Sequence, residues 1–328
     1  MIKQHSRRFA AAFALAACAA TGTVHAAEAW KPTKPVRLLV GFAPGGSADI
    51  LARLLAEPLT QKFGVPVVVE NLAGAGGNIM AQRLAISEPD GYTIGVGAAG
   101  AMAITYVLNP EGTRYKPADF TPITMVASQP NVVIVNKDVP ANNITELKAY
   151  FEKTPTATYG TAGVGISNHL ITESMLHRMG VKVEHAAYRG ASPVITDLLG
   201  GHIVMTVDNI STAAAMVKEG KVKGLGVTSL ERAPQLPNVP TLDEQGLKGF
   251  DMPTWQGVFA PAGLPAEIRA AYFDALQELL KQPGVIEKMG TLGSQPVTGM
   301  APEAFDAFLV KDRAQWADIV KAADIRLQ

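Results

Sequence analysis

The sequence predicts an α/β chain folded as two lobes, each a mainly parallel sheet flanked by helices, with two hinge crossings between them. Strand-like and helix-like segments alternate almost throughout the 328 residues, the pattern of a sheet with helices on both faces. The alternation restarts beyond Pro130. A Pro-rich crossing (Pro234, Pro237, Pro240, Pro253, Pro261 and Pro265) then leads into two amphipathic helices at the C-terminus.

Val36 to Val40 reads as the first strand. Ile50, Leu51, Leu54, Leu55 and Leu59 recur as the apolar stripe of a helix near Asp49 to Lys62, kinked or interrupted at Pro58. The turn between them is small and Gly-rich, with Ser47 as candidate N-cap. Such a turn aims unpaired N–H groups and the positive end of a helix dipole at what lies above it. It lacks the lysine of a phosphate-cradling loop and suits a small carboxylate. Val65 to Glu70 is the next strand, and Gly74-Ala75-Gly76-Gly77 is a turn into a helix near Asn78 to Ser87. Tyr92 to Val96 is a strand, and Pro122 to Val126 and Asn131 to Val135 are extended. Helices at Ile144 to Lys153, Ser167 to Met179, Ser192 to Leu199 and Thr212 to Glu219 alternate with strands at Ala157 to Gly160, Val183 to Ala187, Ile203 to Val207 and Gly224 to Thr228. Helices at Ala266 to Lys281 and Pro302 to Ala323 close the chain. The expected division is 27–131 plus 250–328 for the first lobe and 132–249 for the second.

The N-terminus reads as a signal peptide, residues 1–26. Lys3, Arg7 and Arg8 precede an Ala-rich apolar stretch, Phe9 to Ala20, of about 12 residues. That is short of the roughly 20 apolar residues a membrane span needs. Val24-His25-Ala26 favours cleavage after Ala26 and export to a periplasm. Leu15-Ala16-Ala17-Cys18 also reads as a lipobox, and Ser6-Arg7-Arg8-Phe9 as a partial twin-arginine pattern. Cleavage after Ala26 removes the single cysteine, excluding disulfide and thiol chemistry. Without Lys3, Arg7 and Arg8, 26 basic residues face 29 acidic ones. No basic stripe is present, so nucleic acid is not an expected partner.

Three loops are rich in small residues and follow strands: Phe42 to Ser47, Gly97 to Ala101 and Gly160 to His169. In such sheets ligands sit beyond the carboxyl ends of strands, where these loops gather. Tight βα turns alone account for one such loop; three together point to a ligand cleft. Gly95 to Gly100 formally matches G-x-G-x-x-G, but it begins inside the strand and no acidic residue follows at the spacing a ribose contact needs. Ser47, His169 and Asp208 are a formal hydrolytic triad, yet no G-x-S-x-G elbow exists. His169, His177, His185 and His202 show no metal-ligand spacing. Arg189, at a strand end, suits a carboxylate clamp or a surface ion pair. Asp208, also at a strand end, suits ligand contact or a helix cap. Asp49 would repel an anion above its own helix, so it should point sideways and support the loop from behind.

K-P-V-R-L-L-V-G-F-A-P-G-G-S-A-D-I-L-A-R, V-V-V-E-N-L-A-G-A-G-G-N, E-P-D-G-Y-T, Y-G-T-A-G-V-G-I-S-N-H-L, Y-R-G-A-S-P, T-V-D-N, R-A-P-Q-L-P-N-V-P-T and F-A-P-A-G-L-P occur in this order from about residue 31 onward. Together they resemble the Bug-type solute receptors of tripartite tricarboxylate transporters. The resemblance implies a type II-like periplasmic binding protein fold and a monomer without catalytic activity, cofactor or metal. Its two lobes would close on a carboxylate and deliver it to a membrane permease. Carried over by position, Phe42, Ala43, Gly45, Gly46 and Ser47 supply first-lobe contacts, and Thr161, Gly163, Ser167 and His169 second-lobe contacts. Relatives commonly carry T-A-G-T-H-A-I-N where this chain has Gly97 to Ile104. Ala98 and Ala99 therefore make that wall more apolar, suiting an apolar or aromatic ligand body. A sensory co-receptor for the same acids, or a secreted serine hydrolase using Ser47 or Ser167, remain rival readings.

Overall fold

Val36, Leu38, Leu39 and Val40 are all fully buried, so the first strand is covered on both faces, as the centre of a helix-flanked sheet requires. The structure, a computed structural model, describes residues 30–188, 190–322 and 325. The expected signal segment with Cys18, and Arg189, lie outside the described residues.

The strands are β1 (Val36–Val40), β2 (Val67–Asn71), β3 (Thr93–Ala98), β4 (Phe120–Gln129), β5 (Asn131–Asn136), β6 (Thr158–Thr161), β7 (Glu184–Ala187), β8 (Met205–Asn209), β9 (Val222–Val227), β10 (Thr254–Pro261) and β11 (Gln295–Pro296). The helices are α1 (Ser47–Phe63), α2 (Asn78–Ala85), α3 (Thr105–Leu108), α4 (Ile144–Lys153), α5 (Ser167–Met179), α6 (Ala191–Leu199), α7 (Ile210–Lys218), α8 (Ala266–Leu279), α9 (Pro283–Thr291) and α10 (Pro302–Ala322).

Two sheets form, in the orders β11-β4-β10-β3-β1-β2 and β7-β6-β8-β5-β9. Both are mixed, where the sequence suggested mainly parallel pairing. β1 runs parallel to β2 and β3, but β10 is antiparallel to β3 and β4. In the second sheet β6 is parallel to β7 and β8, whereas β5 is antiparallel to β8 and β9. The cause is connectivity. β5 and β10 enter their sheets directly from the other lobe, not through the crossover helix that parallel neighbours need.

The crossings are short and tied together. Only Pro130 separates β4 from β5. The Thr228 hydroxyl accepts from Asn131 N–H at 3.0 Å and donates to the Met252 carbonyl at 3.1 Å, and Thr254 Oγ1 donates to Gln129 O at 3.3 Å.

Helix α1 runs unbroken through Pro58. Leu51, Leu55, Leu59 and Phe63 are buried along its inner face, and this packing outweighs the lost backbone hydrogen bond. Strand β10, which the sequence hid inside the Pro-rich crossing, is buried at seven of its eight positions, so it shows no alternation. Helix α9 was likewise not foreseen.

Beneath β10, the Trp255 and Trp316 indoles both donate to Asp312 Oδ2, at 3.1 and 3.0 Å. Burial pushes the Asp312 carboxyl up to about 6. Asp312→Leu strands two buried N–H donors at about 1–3 kcal/mol each. Urea unfolding should therefore show a loss of about 2–6 kcal/mol; an unchanged midpoint would contradict the pairing.

Candidate functional site

At the end of β1 the chain has no room for side chains. A Cβ on Gly41 would lie 2.7 Å from the Gly77 Cα. The turn that follows needs Gly45 at φ +86, a left-handed value that favours glycine. The N-cap of α1 is Gly46, without a side-chain cap, and Ser47 is the first helical residue. The sequence assigned the cap to Ser47. With no capping oxygen, the N–H groups of the first turn stay open toward the loop.

Asp49 belongs to that first turn and is buried. Its carboxylate faces back into the loop. Oδ2 accepts from Gly45 N–H at 2.9 Å and Arg53 Nε at 3.0 Å, and Oδ1 accepts from Asn71 Nδ2 at 2.9 Å. Asn71 Nδ2 also donates to Phe42 O at 2.9 Å. The Arg53 guanidinium, with the Gly45 N–H and Asn71, holds the Asp49 carboxyl down at about 2 against the cost of burial. Asp49 thus ties the turn to β2 from behind, as its charge demanded.

The three small-residue loops meet around the Gly74–Gly77 turn, which the sequence treated only as a lead into a helix. A Cβ on Gly77 would lie 3.4 Å from Ala101 Cβ and 3.7 Å from the Phe42 ring. One on Gly76 would lie 3.5 Å from Ile166 Cγ2 of the second lobe, and one on Gly100 would lie 3.5 Å from Gly76 O. Ala75 holds φ +49 between these glycines. Ala43, Gly45 and Gly46 are exposed at this face and Ser47 is half-buried. Ala98 is half-buried too, but Ala99 packs its side chain into the core. Beyond it, Gly100–Ile104 forms a π-helical turn, a local irregularity frequent at functional sites.

In the second lobe, Thr161 and His169 turn inward. Thr161 Oγ1 donates to Gly163 O at 2.8 Å and lies 2.6 Å from His185 Nε2. His169 Nδ1 accepts from Gly165 N–H at 3.1 Å. Both side chains build the loop, while Gly163 and Ser167 remain part-exposed. Ser167 opens α5, whose N-cap, Ile166, has no capping side chain. Asp208 Oδ1 accepts from Asn209 N–H at 2.9 Å and Oδ2 from the Thr212 hydroxyl at 2.6 Å. Burial pushes its carboxyl up. It braces the start of α7. Ser47, His169 and Asp208 share no hydrogen bond among these contacts, so no triad is assembled. Among the described residues no His, Cys, Asp and Glu cluster could hold a metal.

Beside Gly45 and Ser47 lies a cavity between the sheets. Ile50, Gln129 and Gln256 line it, with Ser211 at the start of α7 and Met289 and Leu292 from the α9 region. Its lining among the described residues is uncharged. The Ser211 Oγ is buried there without a hydrogen-bond partner. None of these six was foreseen as a site residue; the position of Ser211 just after Asp208-Asn209, at a helix start, was the available signal.

Residues 51–325 match the family described as tripartite tricarboxylate transporter family receptor. The chain belongs to this family. It is 34% identical over 316 residues to the UPF0065 protein in the tcbD-tcbE intergenic region of Pseudomonas sp. (strain P51), covering 96% of this chain and 93% of that one. Among solved structures it is similar to periplasmic binding protein BugD, at 37% identity and TM-score 0.82, covering 90% of this chain and 100% of that one. It is also similar to Rpa4515 of R. palustris with adipate, at 32% identity and TM-score 0.84, covering 90% and 99%. The fold is therefore the two-lobe periplasmic binding protein fold. Members of the family are solute-binding receptors, not enzymes.

In this receptor Asp49→Ala should release the Gly45 turn. Because the folded pKa lies near 2 against an ordinary 3.8, the stabilisation is present above about pH 4 and lost as pH falls through 2. The shift corresponds to about 2 kcal/mol. The expected outcome is a lower melting temperature at pH 7 and a shallower loss of stability between pH 4 and 2. Identical acid-unfolding curves for variant and wild type would exclude the tether.

Proposed function

We propose that this receptor is a periplasmic protein that captures a small carboxylate and delivers it to a permease of the tripartite tricarboxylate type. The ligand class is a di- or tricarboxylate or an aromatic acid. The observation that carries this reading is the uncapped first turn of α1, its own acidic residue turned away, opening beside an uncharged cavity. Open backbone donors at a helix start favour an anion. Adipate bound to Rpa4515 is consistent with it. The apolar side chains of Ile50, Met289 and Leu292 favour a ligand with an apolar body between or beside its polar ends.

Capture would move 132–249 against 27–131 and 250–328 about the crossings at Gln129 to Val132 and Gly249 to Trp255. The ligand would stabilise the closed form by its differential affinity for it. The leader, cleaved after Ala26, would direct the chain to the periplasm, where it acts as a monomer.

A thermal-shift screen of mono-, di- and tricarboxylates, aliphatic and aromatic, tests the reading. A true ligand at 100 times its Kd adds about 2.7 kcal/mol of stability. Flat curves across the acids, with a shift for a sugar or a cationic amine, would overturn it.

A further inference from the structure

The second-lobe loop is held from inside by a histidine that lies 24 residues away on the neighbouring strand. His185, on β7, places Nε2 2.6 Å from Thr161 Oγ1. The Thr161 hydroxyl has one proton, and its contact with Gly163 O requires it, because a carbonyl only accepts. Thr161 therefore accepts from His185, and Nε2 of His185 carries its proton. At the other end of the loop a backbone N–H, Gly165, donates to His169 Nδ1. That nitrogen must be bare. The two rings stack at 4.1 Å with 15° between their planes, and Tyr159 extends the stack at 4.8 Å from His185.

We propose that His185 is a positioning residue for the Thr161–Gly165 loop, which keeps its shape only while the His169–His185 stack is neutral. The proposal rests on this loop being the second jaw of the carboxylate site. A proton added to His169 must go to Nδ1, turning the acceptor for Gly165 N–H into a donor. A proton added to His185 places a cation face to face with the second imidazole. The other titratable groups facing the stack are Tyr159 on β6 and Glu173 on α5, which hydrogen-bond to each other. No carboxylate hydrogen-bonds to either ring among the described contacts. Burial and the neighbouring ring hold His169 down at about 3, and burial lowers His185 as well. The folded rings thus bind protons more weakly than the unfolded chain. The stability of the closed loop is complete above the ordinary histidine value of about 6.5 and declines progressively as pH falls from there toward the lowered folded values, because the opened loop takes up protons that the folded stack refuses.

Amide hydrogen exchange, as protection factors for Gly163 and Gly165 in the full exported protein without ligand, tests the proposal from pH 7.5 to 4.5. At pH 7.5 His185→Ala should lower Gly165 protection about tenfold or more, while amides of β5 keep theirs. His185→Gln, whose side-chain amide can donate to Thr161, should restore most of it. In the wild type, protection should hold from pH 7.5 to 6.5 and fall several-fold by pH 4.5. Protection within twofold across both variants and all pH values would overturn the proposal, as would equal losses in the loop and in β5. The readout needs no ligand. A normal exchange profile with no response to any carboxylate would instead count against the function proposed above.

Discussion

The site depends on the carboxylate of Asp49. A turn that offers open N–H groups to an anion cannot also carry a free negative charge in the same helical turn. Here Gly45 N–H, Asn71 and Arg53 consume that charge on the side away from the cleft. The same three bonds fix the turn against β2, so neutralising the charge and shaping the loop are one act. The absence of a side-chain cap at Gly46 completes it, since a capping oxygen would occupy donors that are otherwise open to an anion.

The rest of the fold brings a second set of loops to this turn. Mixed sheets follow from a chain that crosses between lobes twice, and the crossings are joined through Thr228, Asn131 and Met252. Only Pro130 links β4 to β5, so under the proposed closure a small backbone rotation there would displace the whole second lobe. Ile166 meeting the Gly76 turn shows how closely the two jaws approach.

The fold was legible where one physical period dominates. The stripe on α1 and the strand β1 follow from spacing and burial, although Ile50 faces the cavity and not the core. β10 was not legible, because burial on both faces removes the alternation and prolines flank it. The convergence of the three loops was legible from small residues after strands. The roles of Thr161 and His169 were not, since their partner His185 comes from another strand, and hydrogen bonds across a sheet leave no local pattern. Arg189 lies outside the described residues, and Ser211 and Gln129 enter the cavity only through the tertiary arrangement.

An acid held mainly by backbone N–H groups differs from one held by arginine. A buried ion pair carries a large desolvation cost and, once formed, is expensive to break. Peptide dipoles are fixed by the fold, need no counter-charge and leave no unpaired cation when the ligand departs. That suits a receptor that must release its cargo when the lobes part. It also separates two tasks. Under the proposed function the α1 turn would recognise that the ligand is an acid, and the uncharged walls formed by Ile50, Met289 and Leu292, with the Ser211 hydroxyl unpaired beside them, would select which acid by shape and by one further hydrogen bond.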